Sequence, residues 1–146
     1  MTFARPLVLL AALLLAGCGH EVARIPFSAE GAGSTKVNVG AGGIDLWTDL
    51  DVEYSGSMVV RYDIKMSQGG KVVVSASCDP FDVRQKVGVK ETTRGTDKVV
   101  YFTGKMGCRK GLPDVPSGIT DVTATLTVLR RPTNLTIHKM DLVFKE

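Results

Sequence analysis

Apolar and polar residues alternate at every second position over long runs of this chain, and that period restricts the fold more than any other feature. Ile44, Leu46, Leu50, Val52 and Tyr54 fall on one side of a run whose other side carries Asp45, Trp47, Asp49, Asp51 and Glu53. After Ser55-Gly56-Ser57 the pattern resumes with Met58, Val60, Tyr62, Ile64 and Met66, opposed by Arg61, Asp63 and Lys65. Side chains point to opposite faces of a strand at successive residues, so each run is a strand with one buried and one wet face. The serine-glycine turn suggests that the two runs pair as a hairpin. Opposed residues share a face, so even positions must meet even positions. A register setting Asp49 against Arg61 and Asp45 against Lys65 gains about a few tenths of a kcal/mol per pair. The next register sets Asp49 against Asp63 and is repulsive.

Further runs repeat the period. Gln68-Gly69-Gly70 turns into a strand over 71–77, with Met66 facing Val72 and Ile64 facing Val74, so that three strands form a meander. Residues 83–92 and 98–103 flank Thr93-Arg94-Gly95-Thr96-Asp97 as a second hairpin. Val122, Ala124, Leu126 and Val128 alternate with Asp121, Thr123, Thr125 and Thr127. In the last run Leu135 and Ile137 are odd while Met140, Leu142 and Phe144 are even, a parity slip that predicts a β-bulge near His138-Lys139. A run this apolar docks between neighbours rather than trailing as a free tail. Residues 24–28 read as a first edge strand, demoted from the sheet centre by Pro26. Gly31, Gly33 and Ser34 read as a loop, 36–39 as a short strand, and Gly40-Ala41-Gly42-Gly43 as a tight connection. No amphipathic helix is present. The expected class is an all-β antiparallel sandwich of about eight strands, jelly-roll-like, immunoglobulin-like or C2-like, filling residues 24–146 as one domain.

The beginning of the sequence follows a different rule. Arg5 precedes ten apolar residues, Leu7 to Ala16, which would span about 15 Å as a helix, half of a bilayer core. That length suits a signal peptide. Its end, Leu15-Ala16-Gly17-Cys18, resembles the lipobox of bacterial lipoproteins. The resemblance covers only the export segment. It implies that residues 1–17 are removed, that Cys18 is lipidated and becomes the new N-terminus, and that residues 18–23 are a short tether to the membrane. Three acyl chains, at about 0.8 kcal/mol per buried methylene, hold a protein far more firmly than one. An ordinary signal peptide would instead leave Cys18 as a disulfide partner. Gly19 stands where lipoproteins of the familiar Gram-negative type carry Asp for inner-membrane retention, which implies the periplasmic face of the outer membrane.

Lipidation of Cys18 leaves Cys78 and Cys108 as an even pair in an exported protein, the usual setting for a disulfide. Closing that loop would contribute roughly 3.5 kcal/mol on the chain-entropy account. A metal or redox role lacks a second ligand pair at suitable spacing.

Catalytic patterns are absent. The two histidines, His20 and His138, lie in the tether and at the expected bulge, and no nucleophile elbow or zinc-protease helix is present. Asp45, Asp49, Asp51 and Glu53, or the loop pair Asp79 and Asp82, are the two acidic sets to weigh for calcium, but alternate strand positions stand about 6.7 Å apart and diverge, and the loop pair has only two acids. No cofactor is expected. The charge is uneven: residues 18–83 carry a net −4, whereas 84–110 carry eight Lys/Arg against Glu91 and Asp97, a net +6. Such a block steers acidic partners or anionic head groups. It lacks the interleaved aromatics that stack bases, so nucleic acid is not expected. Lys105, Arg109 and Lys110, beside the expected disulfide, are candidate partner-binding residues. Trp47, the sole tryptophan, falls on the charged side of its strand, where it either stacks on a sugar or anchors a partner, or else is covered by a second layer. The sequence therefore suggests a membrane-tethered, non-enzymatic protein-binding factor, an envelope assembly factor or toxin-immunity protein, with a carbohydrate-binding module as the alternative.

Overall fold

The computed structural model describes residues 19–108 and 114–146. Nine strands follow in order: Glu21–Ile25 (β1), Gly31–Val39 (β2), Asp45–Ser55 (β3), Val59–Gln68 (β4), Lys71–Cys78 (β5), Val83–Arg94 (β6), Asp97–Met106 (β7), Gly118–Arg130 (β8) and Leu135–Lys145 (β9). They form two antiparallel sheets, one in the order β1-β9-β3-β7-β6 and the other β2-β8-β4-β5. No helix occurs among the described residues. The fold is the expected antiparallel sandwich with one disulfide. Cys18, and with it the whole of residues 1–17, lies outside the described residues.

The alternating runs bury the faces that the parity demands. Leu46, Leu50 and Val52 of β3 meet Tyr62, Ile64 and Met66 of β4 and Val122, Ala124 and Leu126 of β8 in one core, all 3% exposed or less. Burial removes roughly 25 cal/mol of unfavourable hydration per Å² of apolar surface, which makes this shared core the main force joining the sheets. Inside it the Tyr62 hydroxyl donates to the Met140 carbonyl at 2.6 Å and lies 3.3 Å from Thr48 Oγ1. The phenol is thus buried with its polar end satisfied.

The parity does not choose neighbours, and here the sequence reading is corrected. β3 and β4 do not pair: β3 lies between β9 and β7, and β4 between β8 and β5. Asp49 therefore faces Thr103 and Asp141 rather than Arg61, and Asp45 faces Lys145 rather than Lys65. Two strands with one apolar face each can bury them across a sandwich as well as within one sheet, and the Ser55-Gly56-Ser57 turn crosses between layers. Its backbone is held by Asn134 O, Thr96 O and Thr133 N, not by a hairpin partner. No three-stranded meander exists, since of β3, β4 and β5 only the last two pair as a hairpin. In that hairpin a bulge shifts the register, so Met66 faces Val74 and Ser67 faces Val72.

Gly31, Gly33 and Ser34 are not a loop but the first half of β2. A side chain on Gly33 would collide with Ile25 of β1, so glycine serves the approach of one sheet's edge to the other's. The tether is also shorter than expected. β1 begins at Glu21, and His20 exchanges backbone hydrogen bonds with Glu146 at 2.7 and 2.9 Å. The β6–β7 hairpin and the alternation of β8 are as expected. The expected bulge is present too: Asp51 faces Lys139 and Val52 faces Ile137, leaving His138 as the extra residue. β9 docks between β1 and β3.

Candidate functional site

One end of the sandwich gathers the groups that the sequence singled out. β3 starts there at Asp45, β7 finishes there at Met106, and β6 begins there at Val83. Cys78 and Cys108 form the disulfide, their Cα atoms 4.5 Å apart, and so fasten the end of β5 to the segment after β7. Asp79 starts the intervening turn by accepting from the Phe81 N–H at 2.8 Å, and Gly107 N–H donates to Asp82 O at 2.8 Å. The β2–β3 turn closes with Gly43 N–H on Gly40 O at 3.1 Å, and Gly43 takes a φ of 80° that favours glycine.

Between these loops lies an open polar cleft of about 620 Å³. Gly42 and Gly43 line one wall; Asp45, Arg84, Lys105 and Asp114 bring charge. Lys105 Nζ sits 3.0 Å from Asp45 Oδ2, so that cation is shared with its cross-strand neighbour strand. Arg84 has no carboxylate within salt-bridge distance among the described residues. Gly107 lies beside it: a Cβ there would come within 3.5 Å of Arg84 Nε and 3.4 Å of both Asp82 carboxylate oxygens, ordinary contact distances. A guanidinium without an acidic partner, in a cleft also holding an ammonium, is suited to accept a carboxylate through paired N–H donors. Arg109 and Lys110, the other candidates, follow Cys108 in sequence and lie outside the described residues.

Trp47 is not a surface group. It lies on the outer face of the five-stranded sheet yet is 3% exposed, faces buried Val143 across the strand, and has Lys145 Nζ over its ring at 4.2 Å. Its N–H has no hydrogen-bond partner among the described residues. Of the alternatives left open by parity, the covered indole is the one found: at this burial no ring face remains for a sugar, and a long cationic side chain rather than a second layer lies over it.

The acidic strand face is likewise occupied by cations. Arg24 Nη1 donates to Asp49 Oδ2 and to Asp141 Oδ2, each at 2.8 Å, while Arg24 Nε reaches Glu21 Oε1 at 2.7 Å. Lys139 Nζ adds a 3.2 Å contact to Asp49. Burial pushes the Asp49 carboxyl up, but the hydrogen bonds from Arg24 and Lys139 outweigh it and hold the group below its ordinary value. Asp141 Oδ1 accepts from the Phe27 N–H at 3.1 Å, so both oxygens are used. Glu53 meets His138 at 2.8 Å, and this hydrogen bond raises the imidazole above its ordinary value. Among the described residues no three histidine, cysteine or acidic side chains gather at metal-binding distance. Of the carboxylates suggested for calcium, those of β3 are spread along the strand, with Asp45, Asp49 and Glu53 each facing a cation, and in the loop pair Asp79 Oδ1 already accepts from the Phe81 N–H.

Of the residues picked from sequence, the structure brings Lys105 and the disulfide to the cleft and separates Trp47 from solvent. It adds Arg84, which stood in the basic block without being singled out; its position just after the Asp79-Pro80 loop was the available signal. No protein-family model matches this chain, and no curated protein matches it either.

Proposed function

We propose that this chain is an envelope lipoprotein, anchored through Cys18 on the periplasmic face of the outer membrane, that binds another protein and performs no catalysis. It acts as an assembly factor for an envelope machine or as an immunity protein that caps a toxin, and the cleft at the disulfide end is its contact site. The observation that supports this most is Arg84: a guanidinium with no acidic partner among the described residues, set in a cleft whose walls are held by a disulfide. Holding the walls in advance reduces the ordering entropy that a loop would otherwise lose on binding. Burial of Trp47 removes the main support for sugar binding.

The test is photo-crosslinking in the native envelope with the probe at Asp114 on the cleft wall. The expected result is one stoichiometric protein adduct, lost when Arg84→Glu is introduced. A probe at Asp114 that captures nothing above a control probe at Thr125, on the outer face of the other sheet, sinks the reading. For the anchor, Cys18→Ser should abolish acyl labelling and release the domain from the membrane; continued labelling would show that the lipid is elsewhere.

A further inference from the structure

Four strands form the sheet edges: β1, β2, β5 and β6. An edge strand presents unpaired N–H and C=O groups along one side and can accept another strand. The four differ in length and charge. β1 has five residues, and β1 and β2 approach one another where Ile25 meets Gly33. β2 and β5 carry one lysine each. β6 has twelve residues, none of them buried, and carries Arg84, Lys86, Lys90 and Arg94 against Glu91 alone, a net +3. Lys86 is engaged with Glu91 at 3.2 Å; the other three have no carboxylate within salt-bridge distance among the described residues. Val89 adds apolar surface at 48% exposure.

Lysine and arginine along an edge normally discourage pairing. They do so selectively. A second copy of β6 would bring like charges together, whereas an acidic strand would meet complementary ones. Two register shifts, near Arg84 and at Gly88-Val89, break the edge into short stretches that further disfavour open-ended stacking. The edge is thus closed to copies of itself and open to a short acidic segment.

Direction follows from the same residues. β6 starts at the cleft, with Arg84 on its wall, and runs away from it toward Arg94. An added strand lying antiparallel to β6 brings its C-terminal end to Arg84; a parallel one brings its N-terminal end. Antiparallel ladders are slightly the more stable per residue, and a carboxylate at Arg84 is attracted where an ammonium is repelled. We propose that β6 is a docking strand for an extended acidic segment of a partner protein, which pairs antiparallel with it and places its C-terminal carboxylate beside Arg84. This rests on the protein-binding reading above and specifies the partner's chemistry.

The probe is a synthetic ten-residue peptide alternating Glu with Val or Thr, ending in a free carboxylate, with a Lys-for-Glu peptide and a C-terminally amidated one as controls. Hydrogen exchange should slow at β6 amides and not at β2 or β5, only with the acidic peptide. Lys90→Glu with Arg94→Glu, both exposed, should weaken binding roughly tenfold, the size expected for two surface charge pairs, and flatten its salt dependence. Amidation should weaken binding to the native chain but make no difference to Arg84→Gln, which assigns the carboxylate to that residue. Protection on another edge, no protection at millimolar peptide, or indifference to the double charge reversal overturns the docking strand. If envelope crosslinking finds a partner whose affinity the double reversal leaves unchanged, the docking strand fails and protein binding stands. If no partner is captured at Asp114 while the acidic peptide protects β6, the strand-docking chemistry stands and the cleft as the contact site fails.

Discussion

Arg24 holds two carboxylates that burial would otherwise penalise. Asp49 and Asp141 are 7% and 6% exposed, and without the guanidinium each would stand in a low-dielectric site with weaker compensation. Arg24→Gln should therefore destabilise the protein by about 2 kcal/mol, less than for a fully buried pair because Arg24 remains a third exposed. The pH dependence has a definite sign. A carboxyl held below its ordinary value stabilises the fold above that value, and the gain is lost as pH falls through the folded value. The loss in Arg24→Gln should thus be largest near neutrality and shrink as pH falls below the ordinary carboxyl value of 3.8, as denaturant titrations at pH 7 and at about pH 2.5 would report. His138 has the opposite sign. Glu53 raises it, so its contribution is complete below the ordinary imidazole value and fades as pH rises through the folded one. An NMR titration should place the His138 midpoint above 6.5, and Glu53→Gln should bring it down; an unmoved midpoint would discount the pair.

Among the elements, β3 shows how far an amino-acid pattern reaches. Its parity assigns every residue to a face, and those faces are correct; its neighbours were misread because pairing across the turn at Ser55 and packing across the core satisfy the same alternation. His138 was legible because a bulge leaves a parity slip in the sequence itself. The strand start at Gly31 was not, since the reason for glycine at Gly33 is Ile25, a residue of another sheet. Trp47 is the same case: Lys145 and Val143, which cover it, are remote in sequence. At the site, Lys105 was legible through the charge block and the disulfide through cysteine parity, but the cleft that adds Arg84 depends on loops meeting from four strands. The staple should matter to the elements it joins. Cys108 is held at a φ of 47°, a region that costs a residue other than glycine roughly 1 kcal/mol or more. Replacing Cys78 and Cys108 by alanine should cost about 3 to 4 kcal/mol through the freed unfolded chain, and hydrogen exchange should rise first at the ends of β5 and β7. Equal denaturation midpoints with and without reductant would contradict this.

On the scale of the whole molecule, the two sheets differ in character. The four-stranded sheet shows solvent a face of Thr123, Thr125, Ser75 and Ser77 beside Asp63 and Lys65. The five-stranded sheet carries the ion-paired face, the cleft at one end and the cationic edge at one side. If the proposed docking holds, recognition belongs to a single corner, where β6 leaves the cleft, and surface substitutions on the serine-threonine face should change stability by under about 0.5 kcal/mol and partner affinity not at all. Thr123→Lys, measured by thermal melting and by the crosslinking yield at Asp114, is the matching control.

The ladder between His20 and Glu146 sets a standoff distance. Gly40 N–H meets the Glu146 side chain at 3.1 Å, so the cleft wall, β9 and His20 are tied into one corner. With a lipid on Cys18, Gly19 alone separates head groups from that corner, a few ångströms of slack. The mouth of the cleft would then open at the bilayer plane, reachable by a segment that rises out of the same membrane and awkward for a bulky domain approaching from the aqueous space. Inserting ten Gly/Ser residues after Cys18 would add about 17 Å of average reach and free the corner to tumble; adduct yield at Asp114 should fall while the melting temperature stays put. Gly19 also acquires a second meaning. At a φ of 52°, with any Cβ only 2.8 Å from Glu146 O, it is required by backbone geometry. Gly19→Asp, the obvious change for redirecting a lipoprotein, would therefore loosen the mooring as well as rewrite the address.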